Sequence, residues 1–146
     1  MDMKRLAIGT IVGAVTIHAA GYLLFQVALV DFYAMNVGSA TGVERDVTLQ
    51  WALAVGNIPL AALITYCIDS RPGAPTIAGG FVTGAVIGFV VWFHADFIMY
   101  GFTNVWNLTL TIVDPPLSAI TRGIAGAVIA AVLAMLPKAA QVRPAE

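Results

Sequence analysis

Residues 6–30 read LAIGTIVGAVTIHAAGYLLFQVALV, 25 positions without one Asp, Glu, Lys or Arg. About 20 such residues in a helix cross the hydrocarbon of a bilayer. The basic start MDMKR before the run suits a secretory signal. The run, however, is longer than the roughly 7–15 apolar residues of a signal, and His18 before Ala19 and Ala20 fits a cleavage site poorly. It is therefore read as a retained first transmembrane helix.

Three further stretches have the same character. Residues 49–68 form a second span, ended by the turn signal DSRPGAP at 69–75. Residues 76–96 form a third. Residues 117–136 form a fourth, opened by Pro115 and Pro116 and closed by Pro137, positions where helix ends tolerate proline. Composition agrees with this reading. Of 146 residues, 60% are hydrophobic and 10% charged, against about 25% charged in a soluble domain. Too few charges remain to solvate a disordered chain or to cover a soluble one. The expected fold is an all-α polytopic membrane protein, residues 1–146 forming one four-transmembrane-helix bundle.

The net charge of −1 leaves no basic patch, which excludes a nucleic-acid partner. The single cysteine, Cys67, excludes an intrachain disulfide and a Cys-rich zinc site. Lys and Arg in short loops set orientation. Lys4 and Arg5 precede span one, Arg71 lies between spans two and three, and Lys138 and Arg143 follow span four. With four crossings all five fall on one side, against Arg45 alone on the other. The expectation is a multi-pass protein of the cell inner membrane with both termini cytoplasmic.

The two outer segments are less regular. Residues 31–48 mix charged and apolar positions and suit a short interfacial turn. Residues 97–113 (FIMYGFTNVWNLTLTIV) are too apolar for open water and too interrupted for a fifth span. They are expected to be re-entrant or to lie at the interface, covering the outer mouth of the bundle, with Tyr100, Phe102 and Trp106 at headgroup level. Within the spans, Gly80, Gly84 and Gly88 share one helix face, Gly9 and Gly13 another, and Ala119, Gly123, Ala127 and Ala131 a third. Small residues at spacing four let helix backbones approach closely. The predicted use is intramolecular packing, with docking to a membrane-protein partner or a second copy through Gly80, Gly84 and Gly88 as the alternative.

Polar groups at membrane depth are costly and mark candidate sites. Measured from the cytoplasmic ends, His18, Asn57 and Arg122 come to nearly one level, roughly 17–21 Å up. Gln26, His94 and Asp96 come to a second level at roughly 27–30 Å, where Asn104 and Asp114 also belong. Each has a structural alternative. His18 can be helix glue, Asn57 can serve the carbonyl that Pro59 frees, and Arg122 can form an ion pair, with Asp96 the first candidate and Asp114 the second. His94 and Asp96 are two apart and point about 200° apart on a helix, which disfavours a shared metal. The two histidines differ in depth by roughly 9 Å, which disfavours axial ligation of one haem iron. No metal or cofactor is expected. Nucleophile elbows, HExxH and phosphate-cradling loops are absent, so no catalytic residues are assigned. Asn107, Leu108 and Thr109 match a glycosylation sequon, a match too cheap to weigh.

The string GYLLFQVALVDFYAMNVG in span one, WALAVGNIPLAALITY in span two, and FHADFIMYGFTNVWNLTLTIVDPPLSAITRGIAGAVIAAVL resemble a family of small uncharacterised bacterial four-helix integral membrane proteins with a domain of unknown function. The resemblance rests on Gly21, Tyr22 and Leu23, on Asp96, Tyr100, Thr103 and Asn104, and on Val113 and Asp114, and it spans nearly the whole chain. Pro115, Pro116 and Arg122 are features of this sequence. The resemblance implies a bacterial inner-membrane protein and no particular reaction.

These readings lead to one functional expectation: an outward-facing intramembrane pocket lined by His18, Gln26, Asn57, His94, Asp96, Asn104, Asp114 and Arg122. It would bind a small polar, ionic or lipid ligand as a transport-accessory or binding protein. The alternatives are a structural subunit docking a larger membrane complex, and a small membrane enzyme on a lipid or quinone-like substrate with His94 and Asp96 as acid and base.

Overall fold

The computed structural model describes residues 2–43 and 45–137. These residues are largely helical, and among them four helices are long and apolar enough to cross a membrane. Lys138 and Arg143, on which part of the orientation argument rests, lie outside the described residues.

Helix α1 (Met3–Gly21) starts on Asp2, whose carboxylate accepts from the amides of Lys4 at 2.9 Å and Arg5 at 3.5 Å. Without a break it passes into a π-helical segment, Tyr22–Ala28, and the two together form the first long apolar helix. The chain bends at Leu29 into a short helix, α2 (Val30–Met35), which the sequence shows only as part of a mixed loop. Helix α3 (Gln50–Asp69) carries Pro59 in its interior.

The last two helices are longer than expected. Helix α4 (Ile77–Phe102) runs six residues past position 96. Nothing stops it there, because residues 97–102 contain no proline and continue the apolar face. Thr76 caps its start through Oγ1 to the Gly79 amide at 3.1 Å. Helix α5 (Leu108–Met135) begins well before position 117 and carries Pro115 and Pro116 inside it. The Asn107 side chain accepts from the Leu110 amide at 2.9 Å and so nucleates the helix one turn after α4 ends. The sequon-like Asn107 is thus a helix cap. An interior proline forgoes its amide bond and crowds the carbonyl four residues back, yet the helix already started from Asn107 continues through both.

Residues 97–113 are therefore helix, except for the five-residue link 103–107. This link pairs with the segment after α2. The amides of Gly38 and Ala40 donate to the carbonyls of Val105 (2.7 Å) and Asn104 (3.0 Å), and Asn107 N–H donates to the carbonyl of Asn36 (3.3 Å). Gly38 is required there, since a side chain would overlap the Asn104 carbonyl. The pairing satisfies backbone groups that a loop at this depth could not leave bare.

Helix α5 is central and packs against α1, α3 and α4. Its contact with α4 is the most intimate, and two spacing-four lines explain why. Positions 80, 84, 88, 92 and 96 of α4 run antiparallel to 130, 126, 122, 118 and 114 of α5. A Cβ at Gly80 would overlap the Gly126 carbonyl, and one at Gly84 the Arg122 carbonyl; at Gly88 it would lie 2.8 Å from the Arg122 Cβ. The Gly80, Gly84 and Gly88 face is occupied by α5 and is not open for docking. Gly9 likewise admits Thr65 of α3, and Gly13 admits Ile129 and Ala61.

Apolar packing dominates the half nearer the chain ends, where Ile17, Ala61, Ile64, Ile68, Ala125, Ile129, Ala130 and Leu133 form one cluster. It is closed at the end by Arg5. Its guanidinium meets Asp69 at 2.8 Å, both side chains buried, and donates to the carbonyls of Leu133 (2.9 Å) and Leu136 (2.6 Å). One side chain therefore ties the start of α1 to the ends of α3 and α5 and satisfies carbonyls that the end of α5 leaves free. Outward faces are apolar, as with Val82, Val86, Val90, Phe93 and Phe97 of α4. Buried polar groups such as Thr83, Asp96, Thr111, Ser118 and Arg122 point inward.

Candidate ligand cavity

The other half of the molecule encloses a half-open cavity of about 290 Å³, at the small end of ligand sites. Helix α1 contributes Ile17 and His18. The π segment continues that wall with Tyr22, Phe25 and Gln26, because its wider turn (Leu29 N–H reaches the Leu24 carbonyl, five residues back, at 2.9 Å) holds these side chains on one side. Helix α3 supplies Gln50, Leu53 and Asn57. The Gln50 amide donates to Gln26 Oε1 at 3.0 Å and joins the two walls.

The opposite wall is Trp92 of α4 with Asp114 and Arg122 of α5. Arg122 is 4% exposed. Its guanidinium carbon stands 4.0 Å from the Trp92 ring centre, a cation–π contact, and Nη1 donates to Thr121 Oγ1 at 2.7 Å. Its Nε is buried and has no acceptor among the described residues. Gly88 makes room for the stem of this side chain. The expected ion pair with Asp96 does not form, because the indole takes the face of the guanidinium. No carboxylate of the described residues lies within ion-pair distance of Arg122.

Asp114 accepts from the Tyr33 hydroxyl and, on Oδ2, from Ser118 Oγ at 3.3 Å. Tyr33 comes from α2 and is braced edge-on by Phe25 at 5.5 Å. Burial first, and then the hydrogen bond donated to the Asp114 carboxylate, hold the Tyr33 phenol well above the ordinary tyrosine range, so it stays a neutral donor. Trp106, on the link 103–107, completes the lining.

Five of the eight sequence-predicted residues thus surround one cavity: His18, Gln26, Asn57, Asp114 and Arg122. Asp96 does not line it. It is fully buried, beside Asp114 across the α4–α5 seam. His94 is exposed on the outward face of α4, as a residue two positions from Asp96 must be. Asn104 is exposed too and enters the fold through its carbonyl, which accepts from Ala40. The acid–base assignment to His94 and Asp96 therefore has no shared site. Sequence reading missed Trp92, although it continues the spacing-four line of Gly80, Gly84 and Gly88. It also missed Tyr33 and Trp106, which reach the cavity only because the bend at Leu29 and the paired links bring them over it. Among the described residues no group of three or more His, Cys, Asp or Glu assembles. No family model, curated protein or solved structure matches the chain.

Proposed function

We propose that the chain is a four-helix membrane bundle of the bacterial inner membrane, both termini cytoplasmic, that binds a small ligand in the cavity from the outer side. The ligand carries an anionic or strongly accepting group, a carboxylate or phosphate, presented to Arg122. One observation carries this reading: a buried guanidinium in a cavity wall with no carboxylate in ion-pair distance and an unfilled Nε. Polar residues serving only as helix glue should satisfy one another, since each unmet group is costly in hydrocarbon. Aromatic walls with a few convergent polar groups are the general form of a small-molecule site. The clustering of Lys4, Arg5 and Arg71 at one end supports the orientation, and the resemblance to small bacterial four-helix proteins supports the compartment.

Trp92 and Trp106 line the cavity, and tryptophan fluorescence of the full chain in nanodiscs reads its occupancy. Benzoate and inorganic phosphate test a free anion, and nanodiscs containing phosphatidylglycerol test a lipid headgroup. The expected result is a saturable change with at least one of these probes, weakened at least tenfold in Arg122→Gln. No saturable change with any probe, or equal affinity in Arg122→Gln, overturns the reading.

A further inference from the structure

At the inner edge of the cavity the two spacing-four lines end in facing carboxyls, Asp96 on α4 and Asp114 on α5. Asp96 is wholly buried, and no N–H or O–H of the described residues reaches either of its oxygens. This is the second, independent observation at the pair, because a carboxylate with no donor and no cation at membrane depth is not a stable arrangement. Nor can two ionised carboxylates share one dry site. A single proton resolves both problems. Held as Oδ–H···Oδ between the residues, it supplies the donor that Asp96 lacks and removes one of the two negative charges.

Charge accounting gives the same answer. The charged and titratable groups that share the cavity wall with Asp114 are Arg122 from α5, Tyr33 from α2, and His18 and Tyr22 from α1 and the π segment; the polar groups of α3 there are Gln50 and Asn57. Arg122 carries one positive charge, Tyr33 is neutral, and His18 is across the cavity. Two ionised carboxylates leave the site negative and two protonated ones leave it positive. With one proton it is neutral.

We propose that Asp96 and Asp114 form a one-proton site inside the membrane, which holds a shared proton at neutral pH and exchanges it with the cavity through Asp114. Asp114 is the member that lines the cavity, and Tyr33 and Ser118 hold its oxygens in place. A group entering at Arg122 therefore changes the field on the proton, so that the same wall links proton occupancy to ligand occupancy. The proton site does not depend on which ligand enters, or on whether one does.

Infrared spectroscopy of the full chain in nanodiscs tests this through the C=O stretch of a protonated carboxyl, which moves in heavy water. At neutral pH the wild type is expected to show this band at an intensity of one carboxyl per chain. Asp96→Asn and Asp114→Asn each abolish it, since the amide now supplies the donor and the remaining carboxylate balances Arg122. Asp31→Asn, at an exposed side chain, leaves it intact. Arg122→Gln roughly doubles it, because without the cation the pair is neutral only with both protons. Absence of the band in the wild type overturns the proposal, as does its persistence in both asparagine variants. Should an asparagine variant fail to fold, the wild-type band and the Arg122→Gln intensity still decide. An unchanged intensity in Arg122→Gln sinks the charge balance on which the site rests.

Discussion

Arg5 and Arg122 are both buried cations, and their surroundings give them opposite roles. Arg5 has its carboxylate, Asp69, and two helix-end carbonyls, an arrangement in which its donors have work and nothing is left for a ligand. Arg122 has an aromatic face and one hydroxyl, and its remaining capacity points to the cavity. Stability should report the difference. Arg5→Ala breaks the buried ion pair with Asp69 and uncovers the carbonyls of Leu133 and Leu136. Breaking a buried pair from one side costs about 3–5 kcal/mol, so a large fall in the thermal midpoint in detergent is expected. The double variant Arg5→Leu with Asp69→Leu should recover part of that loss, because an apolar pair often replaces a buried ion pair at little cost. A single variant as stable as wild type would mean that water reaches this cluster and screens it.

Among the elements, α4 and α5 form a close-packed seam and the first helix forms the wall across the cavity from it. The α4–α5 seam is backbone against backbone, and a neighbour that is a carbonyl cannot move aside. Gly84→Leu is accordingly expected to destabilise the protein by a few kcal/mol, about 1–3 or more, as overpacked seams do. Gly101→Ala, where an added Cβ meets nothing within 4 Å, should be neutral within about 0.5 kcal/mol. Thermal unfolding in the same detergent compares the two, and equal stability would place the Gly84 face against lipid. The seam also sets the site: Gly84 receives the backbone of Arg122 and Gly88 its side-chain stem, so shifting one helix by a residue would carry the guanidinium away from Trp92. The π segment is the opposite kind of element. None of its residues is buried, Tyr22, Phe25 and Gln26 line the cavity, and wide turns of this sort occur frequently at functional sites.

For the whole molecule, the reach of Arg5 from the start of α1 to the last carbonyls of α5 brings the two ends of the helical array together. Residues 2 and 137 therefore lie toward one end of the array, as an even number of crossings would place them. With the positive charges at that end, both termini should be cytoplasmic. A phosphatase reporter fused after residue 146 should be inactive and a fluorescent reporter there active. The reverse pattern with the chain intact would overturn the topology. The half of the molecule at the ends is packed with aliphatic side chains, and the other half holds the cavity under the paired links 36–40 and 103–107.

The existence of four long apolar helices was legible in the residues alone, because a bilayer imposes length and composition on each span regardless of its neighbours. So was the close-packing face of α4, since glycines at spacing four share a side whatever lies opposite. The opposed directions of His94 and Asp96 followed from helical geometry in the same way. Boundaries were less legible: Pro115 and Pro116 read as a helix start, and only the Asn107 cap and the packing of α5 on α4 carry the helix through them. The site was legible in part. His18, Asn57 and Arg122 come to one level by counting rise along separate helices, but depth carries no azimuth, and depth alone also admitted His94 and Asn104, which face outward. Which helix stands beside which, the indole under Arg122 instead of a carboxylate, the second carboxyl facing Asp96, and Tyr33 over the cavity were decided by tertiary structure. These are pairings between residues tens of positions apart, fixed by how backbones dock, and no local pattern along the chain encodes them.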